Sequence, residues 1–346
     1  MISTTFLAVA ALQVVPITFS ATIQGQGFLT VPVERTNNGY YEGEIEVGTP
    51  GQRMNVIFDT ATADSWLQAK ACKLCPAVKT PFDPQASSTF VGSSTQYTEY
   101  YGGGYVYGNI GKDTFKIGGN PVKNQAFAVV NENTGNIEGP NGVFGLAYQK
   151  ISRHSSDKTP LQNLKEQGAI GQNVFAFHLR PSGQSVLTLG GFDSSLAAHG
   201  VTWSPIAVNY NWMVVVDSIT LGGAAVSGKI KTVLVSGTRA ITVNSETHEL
   251  IVKKLGAQHK KNGVYQVECQ GLPSLDFKIR GSTFAVENAH YAFKTDDSEL
   301  DRGKCRLGIE RDDRLQTLAL LGDAFMQEKL IIFDGDNNKI GISVAK

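Results

Sequence analysis

The side chains able to do chemistry in this 346-residue chain are few. Asp59 ends the apolar run Val56-Ile57-Phe58 and is followed by Thr60-Ala61-Thr62. A second stretch, Thr232-Val233-Leu234-Val235-Ser236-Gly237-Thr238, has the same plan: apolar strand residues, then a turn carrying a hydroxyl and a small residue. Another pair, Gly142–Ala147 and Ala319–Ala324, each sets two apolar residues ahead of a glycine. Equivalent positions lie 176 residues apart in the first pair and 177 in the second. Two motifs displaced by nearly one interval imply a duplicated lobe. Pairing of the lobes about a two-fold axis would bring both turns to one cleft. The first turn offers the carboxylate of Asp59, whereas the equivalent Val235 neither ionises nor hydrogen-bonds through its side chain.

Other catalytic chemistries find no support. The six histidines (His154, His178, His199, His248, His259 and His290) are scattered, without the close pairing that holds a metal, so no metal is expected. No Gly-x-Ser-x-Gly elbow occurs. The glycine-rich run Gly102-Gly103-Gly104-Tyr105-Val106-Tyr107-Gly108 does not join a strand to a helix, as a phosphate-binding loop must. No cofactor is implied. Cys72-Lys73-Leu74-Cys75 has redox spacing, but Pro76 and the run Pro81-Phe82-Asp83-Pro84 put it in a loop; it reads as a staple.

The elements that must position these residues are mostly strands. Tyr40 to Val47 alternates, Gly48-Thr49-Pro50-Gly51 turns it into a strand over Met54 to Phe58, and Tyr97 to Tyr107 reads as a hairpin with Gly102-Gly103-Gly104 at its tip. Pro160 to Gly168 reads as a helix with proline near its start and glycine as its stop. Charged residues form 18% of the chain against roughly 25% in an average soluble domain, and glycine is frequent at 37 residues. This mixture favours short strands and tight turns. The 31 basic and 31 acidic side chains balance, leaving no electrostatic footprint for nucleic acid or an anionic membrane.

Residues 1–20 are apolar around Phe6 to Leu12, too short to span a bilayer, and followed by small residues; they read as a secretion signal, the alternative being a buried first strand. In a secreted chain the four cysteines favour the near-neighbour pairs Cys72–Cys75 and Cys269–Cys305. The length suits two lobes, over 21–195 and 196–346, meeting near Gly190 to Gly200.

These residues resemble the pepsin-like (A1) family of aspartic proteases over nearly the whole mature chain. The likeness runs through Tyr41 to Gln52 and Phe58-Asp59-Thr60, then Trp66 and the flap hairpin Tyr101-Gly102-Gly103-Gly104. It continues through Leu187 to Gly191, Trp212 to Ile219, Leu321-Gly322-Asp323 and Phe333-Asp334, and the cysteine positions match too. The resemblance implies an all-β bilobal fold, two β-barrel-like lobes around an interlobe cleft. Each lobe of a family member presents Asp-Thr-Gly. Here the copies are Asp59-Thr60-Ala61, lacking the glycine, and Val235-Ser236-Gly237, lacking the carboxylate, with Thr238 and Arg239 following.

Peptide hydrolysis on this plan needs two carboxylates that share a proton and hold a water: one takes the water's proton while the other donates to the substrate carbonyl. One aspartate cannot fill both roles. The expectation is therefore a secreted, monomeric, non-proteolytic relative that binds a peptide or protein ligand in its cleft. The rivals are a working endopeptidase with an unorthodox partner for Asp59, and a structural or storage protein. Arg239 stands where the family usually has serine. It either reaches Asp59 as a plug or snorkels to solvent. Ala61 adds a Cβ where the family has none, and Thr60 and Ser236 keep the hydroxyls that tie the two turns together. Tyr101 and its glycines form either a mobile flap or simply a permissive tip. Asp217 and Asp323 match structural positions of the family outside the dyad. Only about twenty residues separate Ser20 from the first matching strand, leaving little room for an inhibitory propeptide.

Overall fold

A computed structural model describes residues 27–36, 39–101, 104–135, 139–153, 157–180, 184–295 and 298–346. The expected secretion segment, Gly102, Gly103 and His154 lie outside the described residues.

The repeat read from the sequence is a repeat of strand pairs. Gln52–Asp59 runs parallel to Gly142–Gly145, with Asp59 opposite Gly145. Ile230–Leu234 runs parallel to Leu318–Leu321, with Leu234 opposite Leu321. In both halves the turn-bearing strand is hydrogen-bonded directly to the glycine-bearing strand, so the two motifs repeat together as one unit. The backbone bonds just past the pairs join the same strands but run in opposite directions: Leu146 N–H donates to Asp59 O at 2.9 Å, whereas the turn residue Val235 donates its N–H to Leu321 O at 3.0 Å.

Alternation fixes the facing of the strands. In Tyr41–Val47 the residues Tyr41, Gly43, Ile45 and Val47 are buried, whereas the last four residues of Gln52–Asp59 are all buried because both faces of that strand end are covered. The flap strands Val91–Tyr101 and Gly104–Ile117 pair antiparallel and end the largest sheet. That sheet carries strands from both ends of the chain: Lys329–Asp334 lies between Val174–His178 and Lys339–Val344. The boundary expected near residue 195 falls in a short turn, Ser194–Leu196, yet strands from either side of it share this platform. Phe175 stacks on Phe333 with ring centroids 4.6 Å apart, and Trp212 N–H donates to Leu146 O at 2.9 Å.

Helices are short. Pro160–Glu166 starts with a capping box at Thr159. The longer Ser245–Leu255 is capped by Asn244 and ends at Gly256 in the left-handed region. Both disulfides, Cys72–Cys75 and Cys269–Cys305, are formed.

One ion pair joins the start of the chain to the second turn. Asp323 is fully buried, and its Oδ2 accepts from Arg35 Nε at 2.8 Å, Arg35 Nη2 at 2.5 Å and Gln327 Nε2 at 3.1 Å. The backbone behind it is held too, Asp323 N–H donating to Thr238 O and Ala324 N–H to Arg239 O. A buried carboxylate that loses its cation keeps its desolvation cost. Arg35→Met is therefore expected to lower the unfolding free energy by about 3 kcal/mol in urea titration at neutral pH, and adding Asp323→Leu should recover most of that loss.

Candidate functional site

The two turns meet through a closed set of hydrogen bonds. Thr60 N–H donates to Ser236 Oγ at 3.0 Å, and Ser236 N–H donates to Thr60 Oγ1 at 3.0 Å. Each hydroxyl then donates across the interface, Thr60 Oγ1 to Leu234 O at 2.8 Å and Ser236 Oγ to Phe58 O at 2.6 Å. Thr60 and Ser236 are essentially without solvent exposure.

Asp59 sits beside this interlock with 6% of its surface exposed. Its Oδ1 accepts from Ala61 N–H at 2.8 Å, and the Gly237 amide donates to the same carboxylate. A Cβ on Gly237 would stand 2.4 Å from Asp59 Cγ, so only glycine fits there. The second turn, Val235-Ser236-Gly237-Thr238, carries no acid of its own and seats the acid of the first. Ala61 is exposed, and its added methyl leaves its amide bonded to Asp59.

Burial pushes the Asp59 carboxyl up to about 6; the Ala61 and Gly237 amides oppose the rise and the charge of Glu99 adds to it. Val235, 7% exposed, packs instead with Met213 and Val233. Ala207, Val208, Leu318 and Leu320 border that cluster. A single proton site results. It is an acid below about pH 6 and a base above it, never both at once.

Tyr101 lies near enough to Asp59 to feel its charge, and Trp66 packs against Tyr101 with ring centroids 6.1 Å apart. Trp66 N–H donates to the Tyr101 hydroxyl at 3.0 Å, and Thr62 also bonds that oxygen. Burial and the nearby charge of Asp59 hold the Tyr101 hydroxyl protonated. Tyr40 is held the same way by burial, Asp59 and Glu310. Gly104 pairs with Tyr101 at the described end of the flap. Tyr105 turns away, its hydroxyl donating to Glu132 at 3.0 Å.

Arg239 follows neither course expected of it. Its guanidinium lies over the Phe293 ring, 3.2 Å from the centroid, and its methylenes pack against Gly39. A Cβ at Gly39, whose φ is +80°, would come within 2.5 Å of Arg239 Cγ. Burial, then the charges of Arg35 and Arg306, lower its pKa to about 10, with Asp323 opposing. The groups that shift Asp59 are two backbone amides and an acid, so the plug by ion pairing is not the arrangement found. Arg239 is half-buried, held by an aromatic ring and a glycine-lined gap and not extended freely into solvent. Asp217 is exposed, and among the described residues its side chain accepts a 3.4 Å contact from Gly281 N–H. The partners Gly39, Phe293 and Arg35 carry no local sequence signal, since each meets the second turn only through the fold.

Residues 40–345 match the family described as eukaryotic aspartyl protease. Pepsin A of Sus scrofa is 32% identical over 327 residues, covering 90% of this chain and 83% of the relative. Chymosin of Camelus dromedarius is 30% identical over 325 residues, covering 91% and 83%. Gastricsin of Callithrix jacchus is 29% identical over 331 residues, with the same coverage.

Two outcomes test the site. Ser236→Ala, which strands Thr60 N–H and Phe58 O in a buried place, should cost about 2 kcal/mol in chemical denaturation, with Ser236→Thr recovering most of it. Asp59 has a folded pKa above its unfolded value, so the folded state binds the extra proton between about pH 4 and 6. Stability should thus be greatest below about pH 4 with respect to this group and fall by about 3 kcal/mol as pH rises to about 6. Asp59→Asn should remove that part of the slope.

Proposed function

The chain belongs to the eukaryotic aspartyl protease family, and from that premise we propose that it is a secreted, non-proteolytic member acting through a peptide or protein bound in its interlobe cleft. One observation carries the proposal. Val235 stands where the second carboxylate of a hydrolytic pair would have to be, and its side chain packs into a hydrocarbon cluster. Among the described residues the one acid whose charge reaches Asp59 is Glu99, and Glu99 is paired with Arg153. Without an acid at position 235, Asp59 has no partner with which to activate a water and protonate the carbonyl in one step.

Support for binding comes from what has been kept. The interlock of Thr60 and Ser236 persists, both turn amides still face Asp59, and Tyr101 remains bonded to Trp66. Such a cleft can hold an extended chain without cutting it. Secretion is supported by the apolar character of residues 1–20 and by the two disulfides. Among the described residues, no helix is long and apolar enough to cross a membrane.

Purified protein is expected to give no turnover of a fluorogenic peptide between pH 3 and 5, while being retained on immobilised pepstatin. The variant Val235→Asp with Ala61→Gly should raise the rate at least about a hundredfold, the lower end of what a paired acid and base contribute. Pepstatin-sensitive turnover by the unaltered chain, lost in Asp59→Asn, would overturn the proposal.

A further inference from the structure

The second lobe holds a cavity that takes no part in the site around Asp59. Its volume is about 490 Å³, within the roughly 300 to 1,000 Å³ of small-molecule sites. Its wall is built from one helix and a run of short strands. The helix Ser245–Leu255 supplies His248, and the strands Gln258–His259 and Tyr265–Val267 supply His259 and Tyr265, directly opposite each other in register. Arg306 comes from Cys305–Leu307, the strand beside Tyr265–Val267, and the strand Ile309–Arg311 supplies Glu310 and Arg311. Cys305 pairs with Val267, and its disulfide to Cys269 staples that side of the wall.

The lining is aromatic and balanced in charge. The Tyr265 ring meets the His248 ring at 4.9 Å and the His259 ring at 5.0 Å between centroids, both edge to face. Burial lowers the His248 pKa, so that imidazole is uncharged at neutral pH. Two arginines face two carboxylates. Arg311 Nε and Nη2 donate to Asp313 at 2.7 and 2.8 Å, and Arg306 lies 3.9 Å from Glu310. Hydrogen bonds from Arg311 and Ser245 hold the Asp313 carboxyl down to about 2, so its pair with Arg311 is ionised throughout the ordinary pH range.

An anion arriving here meets arginines that carboxylates already hold, and a cation meets carboxylates that arginines already hold. Breaking either pair carries a cost that a single new charge does not clearly repay. Hydroxyl groups both donate and accept, so they can add to each pair without separating it. An aromatic ring beside such pairs favours a ligand that also has a C–H face to cover it. From this lining we propose that the cavity is a binding site for an uncharged saccharide, with a pyranose ring against Tyr265 and its hydroxyls on the Arg311–Asp313 and Arg306–Glu310 pairs. The site is separate from the interlobe cleft and does not rest on the peptide-binding reading.

The test is NMR titration of the full chain, following the backbone amides of residues 258–266 and 305–313, with lactose, cellobiose, maltose and mannobiose as probes. At least one disaccharide should move these amides to saturation, and Tyr265→Ala should weaken it at least about tenfold, the weight of one aromatic contact. Tyr265→Phe, which keeps the ring, should retain binding. Sorbitol, which has hydroxyls but no ring face, should bind at least about tenfold more weakly than the disaccharide. Sorbitol binding as tightly as the disaccharide would overturn the inference. So would sodium phosphate or putrescine saturating the same amides at lower concentration than any disaccharide, because the lining would then select a charge. No response to any of the four sugars at tens of millimolar would overturn it as well. None of these results bears on retention by immobilised pepstatin, which tests the cleft separately.

Discussion

The constraint on which the site depends is the pair of hydroxyls that lock the two turns, Thr60 on one lobe and Ser236 on the other. Each turn presents an amide and a hydroxyl to its partner, and all four bonds are buried. A buried polar group must be paired or it costs more than the bond was worth. The turns are therefore fixed by each other and do not depend on the acids they were built to display. With Val235 ahead of the second turn, Gly237 seats Asp59 and donates its amide to it.

A site with one acid differs in its electrostatics from a site with two. In a two-acid site the neighbouring charge splits the titrations, so that one group is a base while the other is an acid. Asp59 is instead governed mainly by burial, which raises its pKa alone. Hydrocarbon from Met213 and Val233 packs with Val235, and the Arg239 guanidinium lies over the Phe293 ring, where Arg35 opposes its charge and Asp323 favours it.

Much of this was legible in the sequence because it is written in strands that touch. The intervals of 176 and 177 residues are visible since Gln52–Asp59 and Gly142–Gly145 pair directly, as do their counterparts. The flap hairpin and the helix from Pro160 are local, and turn and cap residues announce them. The helix Ser245–Leu255 carried signals as well, Asn244 before it and Gly256 after it, but its apolar face is too thin to stand out. What could not be read were contacts between distant segments. Arg35 is 288 positions from Asp323, and the gap that receives Arg239 is made by a glycine 200 residues away. Long side chains choose among neighbours that only the finished fold supplies.

The central claim is that the cleft holds one proton site where hydrolysis requires two, and it is tested most directly by following the side-chain carboxyl carbon of Asp59 by NMR from pH 3 to 9. A single transition near pH 6, with a slope of one proton, is the predicted result. Two coupled steps, with a second carboxyl moving in concert with the first, would mean that another acid shares the proton and would contradict the account.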